Sequence, residues 1–141
     1  MTKISDSTFK NQVKILEKYA KEKMGYKILY KNIESCECQY NKKIIVMDSK
    51  LNPESTFYLL LHELGHAKLC RQKKSYGEKY EQIYNSFSRK SFIYKTTILQ
   101  EELDAWQEGI IISKRLELKV DKRRFEMRKT KCIMSYVRWI E

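Results

Sequence analysis

Proline and glycine are scarce in this sequence, which has one proline and four glycines among 141 residues. These two residue types mark most turns and irregular segments, so their scarcity predicts a helix-rich fold with short connections. No apolar run approaches the ~20 residues that a membrane-spanning helix needs, and the N-terminus lacks the apolar core of a signal peptide. We therefore expect a protein of the cytoplasm, bacterial or of an infected host cell, with no membrane partner.

Cysteine is present but lacks the spacing of a disulfide framework or of a zinc ribbon. Without a secretion signal, the four side chains are expected to stay reduced thiols. They are Cys36, Cys38, Cys70 and Cys132.

The remaining composition favours one globular domain over residues 1–141. Apolar residues make up 42% of the chain and aromatic residues 12%, too many for a disordered chain. The 29 basic and 18 acidic residues give a net charge of +11. Such an excess can attract nucleic acid or an acidic partner, although much of it is spread along the chain, as on an ordinary solvated surface.

Histidine is also scarce, and both histidines fall in one motif, His62-Glu63-Leu64-Gly65-His66, directly after an apolar run at 57–61. Residues four apart share a face of a helix, so His62 and His66 can point at one metal ion. Glu63 is turned toward the same cavity but lies off the metal axis, where a general base for a metal-bound water belongs. The motif predicts a Zn²⁺ site with His62 and His66 as ligands and Glu63 as the catalytic residue.

The N-terminal half is predicted to combine one helix with short strands. Helix caps at 5–7 and apolar residues at helical spacing predict a helix as far as Met24, ended by Gly25. Alternating and β-branched residues between 26 and 48 predict two or three strands, largely antiparallel. The last of these, Ile44–Asp48, is expected at the edge of the sheet. The predicted fold class is α+β.

The helix that carries the motif has a clear start signal. Asn52 is expected to cap it and Pro53 to be its first residue, and it should run to about Gln72. Residues 73–90 are polar and rich in tyrosine, and Gly77 interrupts them. This stretch is predicted to be a loop or a loosely packed helix bordering a cleft.

Two further helices are predicted in the C-terminal third. Thr97 and Gln100 form a capping box, which should begin a long helix that ends at about Leu118. A last helix over roughly 121–140 carries a group of cations. They are Lys122, Arg123, Arg124, Arg128, Lys129 and Lys131.

A third metal ligand has to come from outside the motif, because catalytic zinc usually takes three protein ligands and a water. Cys70 is excluded, since its eight-residue separation from His62 corresponds to about 12 Å along a helix. Glu102 is favoured because a carboxylate in a buried stripe needs a cation beside it. Glu101 and Asp104 remain alternatives, because the rotation of the helix is uncertain by one residue. The stripe consists of Ile98, Glu102, Ala105, Gly109, Ile112 and Leu116.

Small residues predict a close contact between the two site helices. Gly65 lies inside the motif helix, where glycine costs about 1 kcal/mol relative to alanine. Its presence indicates that another backbone packs against it. Ala105 and Gly109 would let the ligand helix make this approach.

The motif and the helix after it resemble the ImmA/IrrE-like metallopeptidases, gluzincin-type members of the zincins. That family has H-E-x-x-H followed by a glutamate-bearing helix, and here the second stretch reads Glu101-Glu102-Leu103-Asp104-Ala105-Trp106. With Glu102 as ligand, Trp106 takes the place of the family's aromatic residue, while the usual Ala-Asn pair is absent. The resemblance implies a zincin-like fold with an N-terminal helix, a small three-stranded twisted sheet, the active-site helix, the ligand helix and a C-terminal helix. Family members are often encoded by phages and mobile elements and cut helical repressor proteins.

The expected function is zinc-dependent hydrolysis of peptide bonds in a protein or peptide substrate. Zinc polarises the scissile carbonyl and acidifies its bound water, whose proton Glu63 takes and passes to the leaving amine. The predicted edge strand, Ile44–Asp48, would pair with an extended substrate. The donor that stabilises the oxyanion stays open among four tyrosines, Tyr76, Tyr80, Tyr84 and Tyr136.

Two readings from other classes compete with the peptidase. The basic C-terminal helix favours a nucleic-acid-binding module with a structural zinc, because phosphate contacts need clustered cations. A structural site is normally closed by four ligands, however, whereas this one looks open. The other reading is an interaction protein that keeps the zincin fold without activity, and the intact motif argues against it.

Overall fold

The computed structural model describes residues 3–71 and 73–141, with side chains described outside 71–79. Over this part the chain is α+β, with five α-helices and one three-stranded sheet, so the predicted fold class is confirmed at that level. No helix in it is both long and apolar enough to cross a bilayer. The elements in chain order are α1 (Asp6–Tyr19), a π-helical turn (Ala20–Met24), β1 (Lys27–Lys31), β2 (Glu37–Gln39), β3 (Ile44–Asp48), α2 (Pro53–Arg71), α3 (Lys73–Ser86), α4 (Phe92–Arg115) and α5 (Lys122–Ile140).

The first helix starts and stops where the sequence predicts. Ser5 caps α1, its hydroxyl accepting from the Thr8 amide at 3.1 Å. The π-helical turn continues the helix to Met24, and Gly25 ends it with a left-handed φ of 74°. A residue with a side chain rarely adopts that conformation, which is why glycine is favoured at this position.

The sheet differs from the prediction in strand order and direction. Its order is β1-β3-β2, with β1 parallel and β2 antiparallel to β3. The expectation of largely antiparallel strands with Ile44–Asp48 at the edge is therefore wrong, because β3 is central. Its middle residues Ile45, Val46 and Met47 are all buried, as in a strand that is covered on both faces. The edges are β1 and the short β2.

The motif helix α2 is the centre of the molecule. Asn52 caps it through a 2.8 Å bond from the Ser55 amide, and Pro53 is its first residue, as predicted. It is described as far as Arg71, and the expected end at Gln72 lies outside the described residues. Its apolar residues pack against α1, the sheet, α4 and α5. The buried ones are Phe57, Tyr58, Leu60, Leu61, Leu64, Ala67 and Leu69.

Two boundaries after α2 correct the prediction. Residues 73–86 form a helix that runs through Gly77, so the glycine does not interrupt it. Helix α4 begins at Phe92 with Ser91 as its cap, five residues before Thr97. Thr97 is buried within the helix, where its hydroxyl bonds the Ile93 carbonyl at 2.7 Å. A threonine hydroxyl can satisfy either role, which explains the false start signal.

The end of α4 and the start of α5 lie close to their predicted positions. Helix α4 stops at Arg115, three residues before the expected Leu118. Asp121 caps α5 by accepting from the Arg124 amide at 3.2 Å. Phe125 is buried near the start of α5 against Tyr58 and Trp106, which fixes this helix over α2 and α4.

Glycines hold α2 and α4 in direct backbone contact. A Cβ placed on Gly65 would overlap the carbonyl oxygen of Ala105, and one on Gly109 would lie 2.6 Å from the Leu61 carbonyl oxygen. The predicted close approach is therefore confirmed on both helices. It brings the side chains that flank these glycines on α2 and α4 within a few ångströms of one another.

Candidate metal centre

Two helices supply the three candidate ligands. His62 and His66 lie one turn apart on α2, and Glu102 faces them from α4. The Glu102 carboxylate accepts from His62 Nε2 at 3.0 Å and from His66 Nε2 at 3.2 Å. The structure thus brings together the three side chains that the sequence singles out as metal ligands.

The donor set fits a zinc ion. One nitrogen or oxygen from each of His62, His66 and Glu102 can be chosen so that all lie within 4.8 Å of one another. The two Nε2 atoms are 3.2 Å apart. Two nitrogens bound to one tetrahedral zinc at its usual distance are about 3.3 Å apart, so the rings already have the required separation. Two imidazoles and one carboxylate are also the ligand chemistry of a catalytic site that keeps a position open for water.

The alternative ligands on α4 have other partners. The Glu101 carboxylate lies near the Tyr84 hydroxyl, which lowers its pKa, but burial outweighs this effect and raises the pKa of Glu101. Asp104 accepts from Tyr80 at 3.2 Å and from Gln100 at 2.9 Å. Of the three neighbouring acids, Glu102 is the one that meets the histidines.

Electrostatics hold the Glu102 carboxylate in its charged form. Burial alone would raise the pKa of Glu102, but hydrogen bonds from His62 and His66 outweigh it and keep that pKa far below its usual value. Burial lowers the pKa of His62. For His66, the bond to Glu102 overcomes burial and raises its pKa. The charged carboxylate and the neutral His62 are the forms that bind a metal.

Aromatic packing orients the first histidine. The His62 ring stacks on Trp106 with centroids 4.3 Å apart and planes 18° apart. Its Nδ1 is buried and has no hydrogen-bond partner among the described residues. Metal-binding histidines are commonly oriented by a hydrogen bond to the second ring nitrogen, and here the stacked indole fixes the ring.

Glu63 shares the cavity of the ligands without joining them. Its side chain lines the same cleft as His62 and His66 and is only 6% exposed. Burial raises the pKa of Glu63 to about 7. A carboxyl group with a pKa near neutrality can both take up and release a proton, as a general base must.

The cleft around the site has a volume of about 490 Å³. Helices α2 and α4 form its floor, the sheet side one wall and α5 the other. Side chains from both walls face the ligands across this space. They include Cys36, Glu37 and Tyr40 from the sheet side and Arg128, Cys132 and Tyr136 from α5.

Tyr136 is the tyrosine that the structure brings to the ligands. It lines the cleft, and burial together with the neighbouring Glu102 carboxylate raises its pKa, which keeps the hydroxyl protonated. Tyr80 instead bonds Asp104, and Tyr84 interacts with Glu101. The side chain of Tyr76 lies outside the described residues.

The sequence prediction named Tyr136 as one of four candidate oxyanion donors but did not place Arg128 or Cys132 on the wall that α5 gives to the cleft. Arg128, Cys132 and Tyr136 recur every four residues and therefore share one face of the helix. This spacing is a signal, but several other faces of α5 carry equally regular residues. The packing of Phe125 and Ile133 against the core sets which face of α5 points to the candidate ligands.

Comparison with protein-family models, with curated proteins and with solved structures finds no match for this chain.

Proposed function

We propose that this protein is a zinc-dependent peptidase that hydrolyses peptide bonds of a protein substrate. One observation carries the proposal: three ligating side chains converge in an open cleft, and a fourth, buried carboxylate lies beside them. A structural zinc site would use that fourth group as a ligand and close the coordination sphere. An additional base beside an accessible site is typical of hydrolases.

The residues of the chain divide the chemistry among them. His62, His66 and Glu102 would hold the ion. When bound, Zn²⁺ supplies a Lewis acid that polarises the scissile carbonyl and acidifies water. Glu63 accepts the proton of the attacking water and delivers it to the leaving amine. The Tyr136 hydroxyl, on the α5 wall of the cleft, donates a hydrogen bond to the developing oxyanion.

An edge strand beside the cleft supports a peptide substrate. Strand β2 pairs with β3 and with no other strand among the described residues, and its Glu37 lines the cleft. An extended peptide can pair with the free side of β2 and so cross the ligands in a defined direction. In this role β2 replaces Ile44–Asp48, which is central.

The ImmA/IrrE-like resemblance adds a class of substrate to this proposal. The helix, small sheet, motif helix and ligand helix follow one another in the order that the resemblance implies, with the additional helix α3 between the last two. A repressor or another regulator of a phage or mobile element is accordingly the first protein to test.

The basic helix α5 gives the nucleic-acid alternative less support than its sequence indicates. Arg124 pairs with Glu54, Lys129 lies 3.6 Å from Glu126, and Arg128 bonds Ser55. Two of the six cations in this group thus lie beside acids of the protein itself, which leaves fewer of them for the phosphates of a nucleic acid.

The test is a Glu63→Gln variant, which keeps the size of the side chain and removes its basicity. Zinc-loaded wild type should cleave unfolded casein or a randomised peptide library. The variant should keep one zinc per chain and lose turnover by about 10²–10⁴-fold. Glu101→Gln makes the same chemical change next to a ligand and should retain activity.

Two results would contradict the peptidase. Undiminished cleavage by Glu63→Gln would remove the proposed base. Binding of duplex DNA that falls steeply with salt, is unaffected by Glu63→Gln and is lost when Arg123, Arg124 and Arg128 are neutralised would favour the nucleic-acid module instead.

A further inference from the structure

A second cavity adjoins the metal cleft along α5. It has a volume of about 250 Å³ and lies between the first turn of α2 and the first half of α5. Arg128 lines both cavities, so this side chain lies where the two adjoin. The other lining residues are Glu54, Ser55, Tyr58, Arg124, Met127 and Lys131.

The guanidinium of Arg128 carries a positive charge between the two cavities, and no acid among the described residues forms a salt bridge with it. Its Nη2 donates to the hydroxyl of Ser55, a neutral partner, and its side chain is partly buried. Glu54, an acid that lines the second cavity, binds two guanidinium nitrogens of Arg124 at 2.7–2.8 Å. Arg128 and Lys131 form no salt bridge with any residue that the structure describes. A partly buried guanidinium without a counter-ion favours the binding of an anion.

We infer that Arg128 determines specificity by binding a carboxylate of the substrate, an inference that depends on the proposed peptidase function. A guanidinium offers two parallel donors that match the two oxygens of a carboxylate. The contact with Ser55 uses one of its five N–H groups and holds the side chain between α2 and α5.

The position of Arg128 sets the distance between the carboxylate and the cleaved bond. Arg128 and Tyr136 are eight residues apart on α5, which is about 12 Å along the helix. An extended peptide advances about 3.3 Å per residue, so the same length spans three to four residues. The carboxylate should therefore lie about three or four residues from the scissile bond, as an Asp or Glu side chain or as a nearby C-terminus.

The surroundings favour a single carboxylate over a polyanion. Tyr58 and Met127 give the second cavity apolar walls that suit a peptide side chain. On the far side of the metal cleft, Glu34 and Glu37 face the same space and would repel a phosphate backbone. A peptide with one acidic residue avoids this repulsion.

The experiment uses a library of randomised decapeptides, prepared once with a free C-terminus and once as the C-terminal amide. Cleavage sites are read by mass spectrometry for zinc-loaded wild type, Arg128→Ala, Arg128→Glu and the control Arg123→Ala, an exposed cation on the same helix. Retention of the same peptides on immobilised, zinc-loaded Glu63→Gln, with and without Arg128→Ala, measures binding independently of turnover. Zinc content and melting temperature establish that each variant is folded.

We expect Asp and Glu to be enriched about three residues from the cut in wild type. Arg128→Ala should lower this preference about 10- to 100-fold, the effect of losing a charge-assisted bond. Arg128→Glu should favour Lys or Arg instead, and Arg123→Ala should match wild type. Enrichment of Asp and Glu in both libraries assigns the carboxylate to a side chain, whereas cuts that lie about three residues from a free C-terminus and are absent from the amide library assign it to the C-terminus.

The two proposals fail in different ways. Peptides retained through Arg128 without any cleavage would refute the peptidase and keep the carboxylate site. Cleavage that depends on neither an acidic residue nor a free C-terminus, or that keeps the same dependence in Arg128→Ala, would overturn the role of Arg128. A library that is neither cut nor retained through Arg128 would overturn it as well.

Discussion

Three acids within four residues of α4 have three different environments. Glu101 lies near the Tyr84 hydroxyl, Glu102 lies between two imidazoles with the Tyr136 hydroxyl near it, and Asp104 accepts from a tyrosine and an amide. Composition cannot distinguish them, because all three are carboxylates at the same helix. The angular position of each side chain around the α4 axis decides which one can reach a metal held by α2.

Removal of Glu102 should therefore have the largest effect on zinc binding. We expect Glu102→Ala to weaken zinc affinity by at least about 100-fold, more than the loss of a group that only orients a ligand. His66→Ala should abolish stoichiometric binding. Glu101→Ala and Asp104→Ala are the matched controls and should change affinity less than tenfold. Chelator competition and metal analysis measure all four, and a larger effect of Glu101→Ala would identify it as the ligand.

Tyr136→Phe tests the proposed oxyanion donor. The variant keeps the ring in the cleft and removes only the hydroxyl, so zinc content and folding should be unchanged. We expect kcat to fall by about 10²–10³-fold with little change in KM, as for loss of one oxyanion donor. Tyr84→Phe removes a hydroxyl that interacts with Glu101, outside the ligand set, and should be near wild type. Equal activity of both variants would leave Tyr136 a packing residue.

At the residue scale, the sequence predicted those site residues whose relative position depends only on the periodicity of a helix. His62 and His66 had to share a face, and a buried stripe pointed to Glu102. Arg128 and Tyr136 were not assigned, because their position depends on how α5 packs across α2. Helical spacing within α5 carries no information on that packing.

At the element scale, the sheet shows where local signals end. Each strand of the sheet was recognisable from its residues. Those residues do not determine the order β1-β3-β2, because β2 lies between β1 and β3 in the sequence and could pair with either strand. The predicted start of α4 was wrong for another reason. Serine and threonine both commonly cap helices, and of Ser91 and Thr97 it is Ser91 that caps α4.

Contact between α2 and α4 makes their glycines sensitive to substitution. Gly65→Ala forces a methyl group into the Ala105 carbonyl, and Gly109→Ala places one against Leu61. We expect each to lower the free energy of unfolding by about 1–3 kcal/mol, because overpacking exceeds the gain in helix propensity. The helices must also separate, so zinc affinity should fall too. Urea denaturation measures the effect, with the exposed Gln107→Ala on α4 as control. Unchanged stability of Gly65→Ala would contradict the close contact.

At the scale of the molecule, the candidate metal site adjoins the apolar core, but the core does not depend on it. The core is formed by α1, the sheet, α2, α4 and α5 without any metal ligand, and the ligands already bond one another. The apo protein should therefore be folded, unlike a zinc finger.

Zinc should nevertheless stabilise the whole molecule by mass action. At a free concentration 100 times Kd, a ligand that binds only the folded state adds about 2.7 kcal/mol. For a domain of this size the gain corresponds to a rise in Tm of about 5–10 °C. Calorimetry with zinc and with a chelator measures the difference, and His66→Ala should abolish it. A chelated protein without a cooperative transition would show that the metal is part of the core.

The short edge strand β2 has a consequence for substrates that are themselves folded. A peptide can pair with β2 only while its own backbone amides are free, and the amides of a helix are already bonded within the helix. A helical protein would have to open locally before it could lie along the three residues of β2. Its cleavage rate should then follow the population of the opened segment, so that destabilising the substrate helix accelerates cleavage without any change in the enzyme.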